Sequence, residues 1–373
     1  MELEPSAFRS GSGSRAERVS VAARMRPVSE PITSRRRFLD ALRGHVQASP
    51  PGWMMRQAGR YLPEYMSASA GRPFMERVRD PELSAELTLQ PIRRFGMDAA
   101  VVFSDILVPP SAMGLDVRFV ESKGPVLHPP VRDAAAIARL EPFDPLVATG
   151  FLAETLRGVR SALGDSHALI GFCGAPFTTA SYLIEGGSSK SYARTKAMLF
   201  GQPALFDELQ RRLVDALLPY LAMQVGAGAD ALQIFDSWGG SLDAATYRRM
   251  VLPHLTRLVA GAKAEGVPVI VYANGGDHLL EVLLATGADA ISLDWRTSPE
   301  EARRRSAGRV ALQGNLDPTI LFAGPDATRA AVGSLLAAFA GQPGYVFNVG
   351  SGLLPGTPVE SVAAAFETLQ ALR

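Results

Sequence analysis

From residue 52 onward the chain alternates two kinds of segment. Eight short runs are apolar almost without interruption: residues 52–55, 99–103, 168–172, 231–235, 268–272, 290–293, 309–312 and 344–347. They mostly lack the every-second-residue alternation of a half-buried strand, and so read as parallel strands covered on both faces. Between them lie segments with a 3.6-residue period, among them 204–226, 243–266, 277–286, 299–305, 326–339 and 358–372. Such strand–helix alternation implies a parallel sheet. Eight units predict a closed (β/α)8 TIM barrel, with an open doubly wound sheet as the alternative. Residues 111–130 break the rhythm. Residues 115–120 alternate apolar and polar, a Gly-Pro turn stands at 124–125, and Pro129-Pro130 follows. This predicts a short hairpin inserted after the second strand, within a single domain over residues 35–373.

Composition narrows the picture. The chain has 373 residues, 47% hydrophobic and 20% charged, enough for one large soluble core. A net charge of +1 gives no global attraction to nucleic acid or an anionic membrane, so any anion must be held by a local cluster. No run of about 18 apolar residues predicts a membrane-spanning helix. The single cysteine, Cys173, excludes an internal disulfide or a cysteine-pair metal site and fits a reducing, cytoplasmic setting. Residues 1–34 carry Arg9, Arg15, Arg18, Arg24 and Arg26 with several serines, but also Glu2, Glu4, Glu17 and Glu30. That mixture fits an organelle targeting peptide only partly and predicts a disordered extension, or a start at Met25.

Candidate chemistry gathers after the runs. The first is followed by Arg56-Gln57-Ala58-Gly59-Arg60, the second by Ser104-Asp105, the third by Cys173-Gly174-Ala175-Pro176-Phe177 and then Tyr182. Later runs lead to Asp236-Ser237-Trp238-Gly239-Gly240, Asn274-Gly275-Gly276, Asp294-Trp295, Gln313-Gly314-Asn315-Leu316-Asp317-Pro318 and Asn348-Val349-Gly350-Ser351-Gly352. In a barrel these ends share one face, where barrel enzymes place their sites. Helix capping accounts for Ser237 or Asn315, but not for Arg56, Arg60 and Tyr182. Arg56 and Arg60 are four apart, so a helical turn would put both guanidinium forks on one side, ready for carboxylates or phosphates. Asp105 lies between apolar runs, where a carboxylate is costly without a partner. The five histidines are scattered without ligand spacing, so no metal is expected. The glycine pair at 186–187 is a weak phosphate-loop signal, and Cys173 reads as a buried structural thiol.

Six motifs then act together. W-M-M-R-Q-A-G-R-Y-L-P-E-Y, F-S-D-I-L, G-F-C-G-A-P-F-T, S-Y-L-I-E-G-G, L-D-W and L-Q-G-N-L-D-P resemble the uroporphyrinogen decarboxylase family, in order and spacing, from about Phe38 onward. The resemblance implies a (β/α)8 barrel, usually a homodimer, that uses no cofactor. It implies removal of carbon dioxide from the four acetate side chains of uroporphyrinogen III to give coproporphyrinogen III. Arg56 and Arg60 match arginines that bind substrate carboxylates. Asp105 matches the aspartate that accepts pyrrole N–H groups at the macrocycle centre. Arg56 and Asp105 are thus the catalytic candidates, and Gln57, Ala58, Gly59, Tyr182, Ser237 and Ser351 join them in contacting substrate. An arginine holds its proton too tightly to be a good general acid, so Arg56 is expected to act electrostatically.

The chain departs from the family at four places. Ser351 stands where the last strand usually ends in a histidine, Asn274 where a lysine is usual, and Met66 and Ser69 where arginines are frequent. These changes motivate one alternative, a catalytically weakened paralogue that binds tetrapyrroles. A second is a methyltransferase of the same barrel superfamily, although such enzymes tend to hold zinc with histidine and cysteines.

Overall fold

Seven strands lie parallel in one sheet, in the order β1-β4-β5-β6-β7-β8-β9. They are β1 (Ala99–Val101), β4 (Ala168–Gly174), β5 (Ala231–Asp236), β6 (Val269–Ala273), β7 (Ala290–Ser292), β8 (Ala311–Leu316) and β9 (Tyr345–Val349). The structure is a computed structural model that describes residues 32–120 and 124–373. Residues Thr33–Arg373 form one compact unit. Most of the extension expected over residues 1–34 falls outside the described residues. Its last two residues belong to the fold instead: Thr33 caps the helix Ser34–Leu42 by accepting the Arg36 N–H.

Every residue of β4 through β9 is buried. Their apolar runs leave no polar face to solvent because helices cover the outside and side chains fill the inside. The filling includes a polar layer. Trp53 Nε1 donates to Gln313 Oε1 at 2.9 Å, and Gln313 Nε2 donates to Ser292 Oγ at 3.0 Å and Gln233 Oε1 at 3.2 Å. Buried polar groups are tolerated when bonded in this way.

The first apolar run does not form a regular strand. It makes an isolated parallel bridge, Gly52 to Phe347. Around it, Phe347 N–H donates to Pro51 O at 2.8 Å, Trp53 N–H to Phe347 O at 3.2 Å, and Asp98 N–H to Gly52 O at 2.8 Å. Side chains intercept the other donors: Gly52 N–H goes to Asp98 Oδ2, Met54 N–H to Gln57 Oε1, and Met55 N–H to Asn348 Oδ1. With those groups taken, no ladder propagates. The segment still links β9 to the residue preceding β1.

Asp98 anchors that junction. Its fully buried carboxylate pairs with Arg37 at 3.1 Å and Arg373 at 2.5 Å. After β1, strands β2 (Asp116–Val120) and β3 (Gly124–His128) pair antiparallel as a separate two-stranded sheet. The helix expected over residues 243–266 is two helices, Ala244–Met250 and Leu252–Ala264. Pro253 has no N–H to continue the first and its ring fits the opening turn of the second. No helix among the described residues is long and apolar enough to cross a membrane.

Candidate active site

The loop after the first run is built from turns. Gln57 N–H donates to Met54 O and Leu62 N–H to Gly59 O, each at 3.0 Å, and a helix begins only at Pro63. The helical turn expected to align Arg56 with Arg60 is therefore absent. Arg56 has φ +62°, a left-handed conformation that costs a residue with a side chain about 1 kcal/mol or more. Strain of this kind collects at functional sites. Gln57 is committed elsewhere: its fully buried side chain donates to Ala99 O at 3.2 Å and accepts from Met54 N–H. Ala58 and Gly59 complete the turn, and their N–H groups have no hydrogen-bond partner among the described residues.

Both arginines are exposed, and neither pairs with a carboxylate among the described residues. Arg56 runs across the loop after β9, so closely that a Cβ on Gly352 would lie 2.5 Å from Arg56 Cδ. Any larger residue at position 352 would push the Arg56 side chain from this position. The contact is secured by Leu353 N–H donating to Met55 O at 2.9 Å.

Asp105 follows β1 and is partly exposed. Its Oδ1 accepts the Leu107 N–H at 2.8 Å. Burial pushes its carboxyl up to about 6, against the lowering effects of the Leu107 N–H and the nearby Arg56 charge. A carboxyl poised this way titrates near working pH, as functional groups often do. Tyr182 lies in the helix Pro176–Glu185 after β4. Burial raises its hydroxyl, the Asp105 charge raises it further, and Arg56 opposes both. Arg56, Asp105 and Tyr182 thus come within electrostatic reach of one another.

Ser237 follows β5 and is not a helix cap; Asp243 caps the next helix by accepting the Thr246 N–H. Asn315 is no cap either, since its Nδ2 donates to Asp294 O and Thr297 O. Ser351 follows β9, and the Tyr272 hydroxyl donates to O of its neighbour Gly350 at 3.0 Å. Among the described residues no hydrogen bond or ion pair joins Arg60 to this group, although it shares the loop of Arg56.

Residues beyond the sequence candidates also reach the site. Trp238 stacks on Tyr182 with centroids 3.8 Å apart. It is held by its N–H donating to Thr178 Oγ1 at 3.1 Å. Thr178 and Tyr247 both donate to the buried Asp236 carboxyl, which burial pushes up to about 6. Burial raises the Tyr272 hydroxyl, and the charges of Arg56 and Arg296 oppose that rise. Trp238 was visible beside Ser237; Tyr272, inside an apolar run, gave no signal. Two buried atoms here lack a partner among the described residues, Asn274 Oδ1 and Asn348 Nδ2.

The glycine pair is occupied structurally: Gly186 ends the helix Pro176–Glu185 and Gly187 bridges to Val126. Cys173 is fully buried, and burial pushes its thiol up. No group of three or more histidine, cysteine or acidic side chains suited to a metal occurs among the described residues. A surface cleft of about 380 Å³ bordered by Asp144, Arg157, Pro219 and Met223 contains none of the strand-end residues.

A parallel α/β sheet whose strand ends bring Arg56, the Asp105 carboxyl and the Tyr182 hydroxyl within electrostatic reach of one another, with Arg60 in the same loop as Arg56, defines an enzyme-type site for an anionic ligand. Comparison with known proteins specifies the class. The chain belongs to the uroporphyrinogen decarboxylase family, whose model matches residues 33–372. It is 48% identical to the uroporphyrinogen decarboxylase of Myxococcus xanthus over 330 residues, covering 88% of this chain and 94% of the relative. It is 46% identical to that of Xanthomonas axonopodis pv. citri over 346 residues, covering 90% and 98%. Among solved structures, a methyltransferase from Methanosarcina mazei aligns with TM-score 0.76 over 91% of this chain and 99% of that one. At 22% identity that likeness concerns the fold alone.

Proposed function

We propose that this protein removes carbon dioxide from the four acetate side chains of uroporphyrinogen III, giving coproporphyrinogen III for porphyrin and haem synthesis. The observation that carries the reading is the Asp105 carboxyl, set just beyond β1 and within electrostatic reach of Arg56 and Tyr182. The substrate is an electron-rich macrocycle with pyrrole N–H donors at its centre and carboxylates around its rim. Asp105 suits the centre, where it accepts N–H bonds. Arg56 and Arg60 suit the rim, as do the unpaired N–H groups of Ala58 and Gly59.

Protonation of a pyrrole carbon makes the ring cationic. The carbon–carbon bond to an acetate carboxylate then breaks, its electron pair flows into the ring, and carbon dioxide leaves. The methylene carbon left behind takes up a proton from water to become the methyl group, and the ring carbon gives back the proton it had gained. Asp105 stabilises the cation more than the neutral ring, which is a transition-state effect. The substrate ring serves as its own electron sink, so the reading includes no cofactor. This reading gives Tyr182, packed against Trp238, together with Ser237 and Ser351, contacts with the substrate.

The same reading treats the curled sheet as an eight-unit TIM barrel closed by residues 51–53. In it, β2 and β3 are the inserted hairpin, and the protein acts as a cytoplasmic homodimer. Anaerobic incubation with uroporphyrinogen III, followed by separation of products by carboxylate number, tests the function. Wild type should pass through intermediates with seven, six and five carboxylates; no loss of carboxylates would refute the reading. Asp105→Ala should abolish conversion while leaving the fold intact.

A further inference from the structure

The loop after β7 carries a cation that the motifs pass over. Asp294 is buried and accepts the N–H groups of Gly275 and Arg296, each at 2.9 Å. Both its oxygens also take Arg296 Nη1, at 2.9 and 2.8 Å. The guanidinium carbon of Arg296 lies 3.7 Å from the Trp295 ring centroid. Trp295 is fixed in turn, because its amide nitrogen sits where a Cβ on Gly350 would be, 2.3 Å away. The arginine is therefore held by an ion pair and by a ring.

It is nevertheless presented outward. Its side chain is 54% exposed while that of Asp294 is fully buried. One nitrogen, Nη1, serves the ion pair; Nε and Nη2 have no partner among the described residues. Three N–H donors thus remain free in a fixed fork. An arginine that is already immobilised loses little conformational freedom when it captures an anion. The loop after β7 meets the loop after β9 at that Trp295–Gly350 contact, and the Tyr272 hydroxyl donates to Gly350 O at 3.0 Å, within reach of the charges of both Arg296 and Arg56. Ser351 thus stands in the chain between Gly350, which packs against Trp295, and Gly352, which packs against Arg56.

We propose that Arg296, with Ser351, forms a second carboxylate-binding subsite beside that of Arg56, where the loops after β7 and β9 meet. It takes a rim carboxylate of the tetrapyrrole that the loop of residues 56–60 does not reach. The inference rests on the substrate proposed above.

The test is a double-mutant cycle in the full-length protein, reading KM and kcat for uroporphyrinogen III and the affinity for its stable oxidised form, uroporphyrin III. Arg296→Gln should raise KM about tenfold, as expected for losing one charge-assisted contact, with kcat within about threefold. Arg296→Lys should recover part of the loss, since it keeps the charge but not the fork. Arg329→Gln, on a distant surface, should change nothing. Asp294→Asn combined with Arg296→Gln removes the uncompensated buried carboxylate and should keep the full KM defect. A return to wild-type KM in that double variant would show that Arg296 only shields Asp294, and would overturn the proposal. So would an unchanged KM in Arg296→Gln. If wild type binds uroporphyrin III but does not turn over uroporphyrinogen III, the reaction assignment fails. The affinity loss in Arg296→Gln and in the double variant would then still decide the subsite.

Discussion

Replacing Asp105 with asparagine should make the protein more stable and far slower. Asparagine keeps the shape and the oxygen that accepts the Leu107 N–H at 2.8 Å, and removes the charge. In the folded protein burial raises the carboxyl from its ordinary 3.8 to about 6. The folded state therefore binds this proton more tightly than the unfolded chain. The group's contribution to stability is full below the unfolded value and is lost as pH rises through about 6. At about 1.4 kcal/mol per pH unit, that displacement corresponds to about 3 kcal/mol of destabilisation at pH 7.5. Because Asp105 keeps some access to solvent, about 1–2 kcal/mol is the fair expectation. Asparagine carries no such penalty. Urea unfolding should show Asp105→Asn more stable than wild type at pH 7.5, with the difference vanishing near pH 4. In catalysis the same charge faces the developing ring cation. A unit charge at about 4 Å is worth about 4 kcal/mol at an effective dielectric constant near 20, so turnover should fall about a thousandfold. The reasoning is refuted if the variant is less stable at pH 7.5, or if it turns over within about threefold of wild type.

Further expectations follow from the same geometry. The value of kcat/KM should drop below about pH 6 as Asp105 takes up its proton, and that acid limb should persist in Asp236→Asn. A limb that disappears with Asp236→Asn would assign it to the wrong carboxyl, since both are pushed up to about 6. Arg56→Ala should raise KM about tenfold or more, and so should Arg60→Ala, because Ser351 in the neighbouring loop offers no charge of its own. Unchanged KM values would remove the arginines from the site. Asp98→Ala leaves Arg37 and Arg373 without their buried partner and should cost about 3–5 kcal/mol in urea unfolding. A loss below about 1 kcal/mol would show that the junction before β1 is held by other contacts.

The parallel sheet was legible because strands buried on both faces carry uninterrupted apolar runs, a signal that survives without any knowledge of pairing. The run at residues 52–55 has the same signal but forms only a bridge. Its donors are taken by Asp98, Gln57 and Asn348, and the first and last of these are far away in sequence. Periodicity likewise continued through Pro253, where the backbone could not. Arg56, Asp105 and Tyr182 stood out as polar residues just beyond apolar runs. Their proximity depends on how the sheet curls, which no local pattern records. Arg60 was grouped with Arg56 by helical spacing, and the left-handed Arg56 shows why that spacing did not apply. Ser237 and Asn315 matched capping chemistry, yet Asp243 and Asp317 do the capping. Tyr272 and Arg296 remained invisible because their roles come from neighbours on other strands.

Carbon dioxide release counted against macrocycle consumed tests the central claim most directly. With uroporphyrinogen III under anaerobic conditions, the account predicts four molecules of carbon dioxide per coproporphyrinogen III formed by the purified protein without added metal or cofactor. It also predicts release lowered about a thousandfold in Asp105→Asn. Tetrapyrrole binding with no carbon dioxide release, or release undiminished in Asp105→Asn, would contradict it.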